Sequence, residues 1–136
     1  QVLADPTYLA GRELTPDQVA GVIGLAGPYD FHPYDVDASR AAFGDAPASA
    51  SQPVAQDLSH MPPLLLVTGD RDTTVRPRNS RRLAELAPRA RLVTVEGAGH
   101  VGVLLGLGVR ITTREAVMQP VDAFLQEVVG QQTSLL

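Results

Sequence analysis

Two loops in this chain carry side chains that could do acid–base work together: Gly69-Asp70-Arg71-Asp72-Thr73-Thr74-Val75 and Gly97-Ala98-Gly99-His100. Each follows a strand-like run. A carboxylate hydrogen-bonded to one imidazole nitrogen fixes the ring's tautomer and stabilises the imidazolium, leaving the other nitrogen to take a proton from a nucleophile. Asp72 and His100 lie 28 positions apart, the length that one crossover helix and one strand require. If their strands are neighbours, the pair meets above the sheet as the base half of a triad. Taken singly, each has a plainer reading, Asp72 as a turn cap and His100 as a helix-entry residue. Asp70 reads as such a cap. His32 and His60 sit in proline-rich loops with no partner at useful spacing, so no role is assigned to them.

The elements that must hold these loops can be read from apolar patterning. Thr15-Pro16-Asp17-Gln18 has the capping threonine, first-turn proline and capping-box glutamine of a short helix. Val22 to Ala26, closed by Gly27-Pro28, suits a strand buried on both faces. Residues 28 to 60 are rich in proline, glycine and aspartate and predict loops, with short helices near Ala38 to Phe43 and Gln52 to Gln56. Leu64 to Thr68 is the most hydrophobic run and predicts a central strand ending at Gly69. Pro77 to Leu86 predicts a helix with Leu83 and Leu86 on its inner side, and Arg91 to Glu96 alternates as a strand. An apolar stretch covers Val101 to Leu107. A last helix is expected from Pro120 to Val129, presenting Val121, Phe124, Leu125 and Val128 and stopped by Gly130. Strands alternating with helices imply a parallel sheet, which gathers its functional loops at the carboxyl ends of its strands.

Composition narrows the function classes. An apolar fraction of 44% against 19% charged residues predicts a packed core rather than a disordered chain. With a net charge of −4 and basic residues scattered except for Arg76, Arg78, Arg81 and Arg82, no footprint for nucleic acid is expected; that cluster reads as a solvated helix face. The absence of cysteine excludes disulfides and thiolate chemistry. No apolar run approaches eighteen residues and no basic-then-apolar leader is visible, so the expectation is a soluble, cytoplasmic chain without a membrane partner.

Three blocks in order resemble a known family: Gly24-Leu25-Ala26-Gly27-Pro28-Tyr29-Asp30-Phe31, Pro62 through Asp72, and Gly97-Ala98-Gly99-His100. They are similar to successive segments of bacterial α/β-hydrolase carboxylesterases and lipase-like enzymes, and the likeness covers nearly the whole chain. The resemblance implies an α/β fold in which residues 1–136 form the C-terminal half of an α/β-hydrolase domain, about three parallel strands with flanking helices. It selects Asp72 over Asp70 as the acid, through the family's G-x-x-D-x-x-V loop, and His100 as the base. It implies hydrolysis of small carboxylic esters, or of amides such as arylformamides, with no metal or organic cofactor. Tyr29, Phe31 and Val101 are candidates to line the substrate pocket. The departure from the family is the missing nucleophile elbow. No G-x-S-x-G occurs, and serines 39, 49, 51, 59, 80 and 134 lack its flanking glycines. The oxyanion-hole loop is missing as well. The chain alone is therefore expected to be inactive, and an open sheet edge where the nucleophile strand would pair predicts self-association.

Three other readings fit the residues. Gly97, Gly99 and Gly102 match G-x-G-x-x-G after a strand, the signature of a dinucleotide site, with Asp122 at the spacing of a ribose ligand. Asp70-x-Asp72-x-Thr74 matches the pattern of magnesium-dependent phosphatases that use an aspartate nucleophile, although the chain contains no lysine. A non-catalytic interaction module is the third.

Overall fold

The computed structural model describes residues 1–133. After a short N-terminal helix α1 (Thr7–Ala10) and a single 3-10 turn at Pro16–Gln18, strand β1 (Val22–Leu25) opens the sheet. The Thr15 N–H donates to Gln18 Oε1 at 2.8 Å, one half of the capping box, but the following residues turn extended at once, so one turn replaces the expected helix. Two short helices, α2 (Asp37–Phe43) and α3 (Ala48–Ser51), with a 3-10 turn at Pro53–Ala55, punctuate the loop-rich stretch before β2 (Leu64–Gly69). Helix α4 (Arg78–Leu86), strand β3 (Ala90–Val95), helix α5 (His100–Leu105) and helix α6 (Arg114–Thr133) complete the order.

The three strands are parallel in the order β1-β2-β3. Leu64 of β2 is paired with Val22 on one side and Ala90 on the other, and the β2–β3 ladder runs on to Gly69 opposite Val95. Every residue of β2 is buried, as a central parallel strand requires. β1 is only half-buried throughout. β1 is thus not buried on both faces as expected, because among the described residues it has a neighbour on one side only.

A separate apolar core covers each face. On one, Leu65, Val67, Val95 and Ala98 pack with Val103 of α5 and Val117, Val121, Phe124 and Val128 of α6. On the other, Leu64 and Leu66 meet Leu83 and Ala87 at α4, with Leu58, Met61 and Ala4 completing the layer. Full burial of each large side chain contributes about 1.5–3 kcal/mol, which explains how α6 differs from its sequence reading. The helix starts a turn and a half before Pro120 and runs past Gly130, although a proline in a helix interior costs about 3 kcal/mol and a glycine about 1. Val117, Val121, Phe124 and Val128 repeat at spacings of four, three and four and bury against the sheet. Leu125, expected inside, is 45% exposed. The Val101 to Leu107 stretch resolves into the six-residue α5 and a turn.

Candidate active site

The Asp72 and His100 loops leave the tips of adjacent strands and close on each other. Asp72 Oδ2 lies 2.9 Å from His100 Nδ1. The Asp72 side chain is wholly buried, while the imidazole is 26% exposed. Burying a carboxylate is tolerated only where its lone pairs are filled, and Oδ1 accepts the Thr74 N–H at 2.9 Å and the Val75 N–H at 2.8 Å. The carboxylate is therefore aimed by its own turn. It can hold His100 as the Nδ1–H tautomer, with Nε2 left as the acceptor. Among the described residues no hydrogen bond reaches Nε2, and no serine is hydrogen-bonded to the ring.

The two loops approach more closely than sequence reasoning foresaw. A Cβ built on Gly69 would fall 2.1 Å from the Ala98 carbonyl oxygen. Arg71 N–H donates to that carbonyl at 3.0 Å, and Asp70 Oδ1 accepts the Gly97 N–H at 2.7 Å. Asp70 is thus a cap, as expected of it, but for the neighbouring loop rather than for its own. Asp70 is engaged with the Gly97 N–H and Asp72 with His100, so the two carboxylates of the phosphatase pattern serve different partners.

Beside the acid loop lies a cleft of about 500 Å³, walled by Phe31, Phe43 and Val36 on one side and by Thr73, Thr74 and Arg76 on the other. Two buried amides fix that wall. Asn79 Oδ1 accepts the N–H groups of Tyr29 and Asp30 at 3.0 and 2.8 Å, and Gln52 Oε1 accepts the Phe31 N–H at 2.6 Å. Nothing local in the sequence signals either residue, since each acts across 21 to 50 positions. Of the candidate pocket residues, Phe31 lines this cleft. Tyr29 instead packs its ring over Gly24 and Gly27, and Val101 is 62% exposed on α5. His32 stacks edge-on against Tyr34, and His60 Nε2 bonds to the Leu3 carbonyl. Ser51 bonds to the Tyr34 hydroxyl, Ser80 is buried in α4, Ser39 lines the cleft, and Ser134 lies outside the described residues.

The dinucleotide reading is overturned by the elements around it. Gly97 turns the chain at φ +72°, Gly99 precedes α5, and Gly102 lies inside that six-residue helix. A dinucleotide unit needs a crossover helix followed by another parallel strand; here α5 leads to α6 and no further strand occurs among the described residues. Asp122 sits on α6, exposed.

A parallel sheet covered on both faces, with loops gathered at its carboxyl edge, is the C-terminal part of an α/β-hydrolase fold. The sequence model of the TAP-like protein family of abhydrolases matches residues 38–131, and the chain belongs to that family. No curated protein matches it. Among solved structures it is similar to esterase 2 of the planctomycete Thermogutta terrifontis. The native form superposes with a TM-score of 0.57 at 19% identity, covering 86% of this chain and 45% of that one. The form phosphonylated by sarin gives 0.58 at 18% identity, over 82% and 45%. For the form phosphoramylated by tabun the values are 0.56 and 19%, over 82% and 42%. This chain thus spans less than half the length of the esterases it resembles.

Proposed function

We propose that this chain supplies the acid and the base of a serine hydrolase acting on small carboxylic esters, with arylformamides as an amide variant of the same chemistry. The observation that carries the reading is the buried Asp72 carboxylate, oriented by two backbone N–H groups, 2.9 Å from His100 Nδ1. Membership of an abhydrolase family and the likeness to esterases support the same reaction class. In the complete enzyme a serine hydroxyl held by another segment attacks the acyl carbon. His100 Nε2 takes the hydroxyl proton and returns it to the leaving alcohol, and Asp72 holds the ring and stabilises the imidazolium. Water then repeats the cycle on the acyl-enzyme.

The test uses an activated aryl acetate. The 136-residue chain is expected to show no enzyme-like turnover, because it has no nucleophile elbow. A longer protein that joins it to a serine-bearing segment is expected to turn over, and Asp72→Asn to lower kcat by on the order of 10³–10⁴-fold. Fast, His100-dependent hydrolysis by this chain alone defeats the claim of incompleteness. An unchanged kcat in Asp72→Asn defeats the assigned roles.

A further inference from the structure

We propose that Asp70 is a positioning residue for His100, acting through Gly97. This rests on the reading of His100 as the base and names a residue for which that reading has no use. Four consecutive positions of the acid loop are matched to the histidine loop. Gly69 admits the Ala98 carbonyl where any side chain would collide, and Asp70 Oδ1 takes the Gly97 N–H at 2.7 Å. Arg71 N–H then donates to the Ala98 carbonyl at 3.0 Å, and Asp72 Oδ2 meets His100 Nδ1 at 2.9 Å. Two of these four contacts are made by the backbone or by the lack of a side chain. Asp72 is engaged by its own turn and by His100. Asp70 therefore contributes the one side chain that ties the base of the histidine loop to the acid loop.

The location of that tie gives it leverage. Gly97 is where the chain reverses, at φ +72°, and only Ala98, which is buried, and the half-buried Gly99 separate it from His100. The Asp70 acceptor lies 27 positions from its donor and joins two loops, whereas a local cap satisfies a donor two or three residues on, as Asp72 does for Thr74 and Val75. A carboxylate accepting a backbone N–H makes one of the stronger hydrogen bonds available to a loop. Without it, the bond between the Arg71 N–H and the Ala98 carbonyl is the one hydrogen bond left, among the described residues, joining residues 97–99 to the acid loop, and the freer Gly97 turn loosens the 2.9 Å contact at His100.

Solution NMR on the full 136-residue chain tests this without any turnover. In the wild type, His100 Nδ1–H is expected as a low-field resonance in slow exchange, and a through-bond coupling should link the Asp70 carboxyl carbon to the Gly97 nitrogen. In Asp70→Ala, Gly97 amide exchange should quicken by about tenfold and the His100 Nδ1–H resonance should broaden away. Asp70→Asn, which keeps an acceptor oxygen, should retain both features. Persistence of the His100 resonance in Asp70→Ala overturns the positioning role and leaves Asp70 a cap for Gly97 alone. If Asp70→Ala does not fold, the wild-type coupling and the folded Asn variant decide, and absence of the coupling or loss of the resonance overturns the proposal. A wild type without the His100 resonance removes the Asp72–His100 pair and this proposal together. An intact pattern in a longer protein that hydrolyses no ester counts against the function and not against Asp70.

Discussion

At the scale of single residues, the site depends on how closely two loops can approach. Gly69 is a glycine because the Ala98 carbonyl occupies the space of its Cβ. That oxygen belongs to the backbone, held by the Arg71 N–H, so it cannot turn aside as a flexible side chain would. Gly69→Ala should therefore destabilise the fold by about 1–3 kcal/mol, the cost of overpacking a well-filled interior. A urea titration measures it, and an unchanged midpoint would show that the loops separate freely. Tyr29 offers a test by pH. Burial pushes its phenol above the ordinary value, outweighing the opposing effect of a hydrogen bond with the Gly27 backbone. The folded state keeps this phenol neutral to higher pH than the unfolded chain does. Its contribution is thus intact below about pH 10 and is lost as pH rises from there through the folded-state value. Tyr29→Phe should remove a late ionisation from the 295 nm absorbance titration and flatten the fall of stability above about pH 10. Loss of an ionisation at the ordinary phenol position instead, with an unchanged stability curve, would count against burial of this hydroxyl.

At the scale of elements, α6 sets local punctuation against tertiary burial. Pro120 has no N–H to offer the Ala116 carbonyl one turn back, yet the helix continues through it. Pro120→Ala should raise stability by about 1–3 kcal/mol, as the missing bond forms and the ring clash disappears. Equilibrium unfolding checks this, and a lower midpoint would mean that the half-buried proline ring contributes more by packing than it costs the helix. The same competition decided which elements were legible. β2 could be read because Leu64 to Thr68 is apolar without a break and Gly69 closes it. The start of α6 could not, because Pro120 is a strong local signal and the deciding burial of Val117 depends on Val95, Val67 and Leu65, 22 to 52 positions upstream. The site follows the same division. Asp72 and His100 were visible because each ends a strand in a recognisable loop. The Asn79 and Gln52 amides, which hold the cleft wall, carry no local mark, since their partners are backbone groups brought near only by the fold. Asp70 was legible as a cap, but its partner in the next loop was not.

At the scale of the whole molecule, β1 and β3 each pair with β2 alone among the described residues, and β1 is the edge toward which the missing nucleophile strand would pair. The N–H groups of Val22 and Ala26 donate to β2, through the carbonyls of Pro63 and Val67 at 2.8 Å each. Strand alternation then turns the N–H and C=O groups of Ile23 and Leu25 outward, along an edge where no strand pairs among the described residues. The side chains of β1 are only half-buried, so apolar surface accompanies the free backbone groups. No lysine, proline or bulge interrupts Val22–Leu25, and these are the devices that usually blunt such an edge. A second copy of this chain can satisfy the edge by laying its own β1 antiparallel across a two-fold axis, which pairs Ile23 and Leu25 of one copy with the same residues of the other. Sedimentation should accordingly show concentration-dependent dimerisation. The Ile23 and Leu25 amides should exchange freely in dilute solution and become protected as the dimer forms. Ile23→Pro, which removes an outward N–H that β2 does not use, should restore the monomer at every concentration. A wild-type chain that stays monomeric throughout, with both amides exchanging freely, would show that four half-buried residues offer too little surface to offset the lost freedom of association.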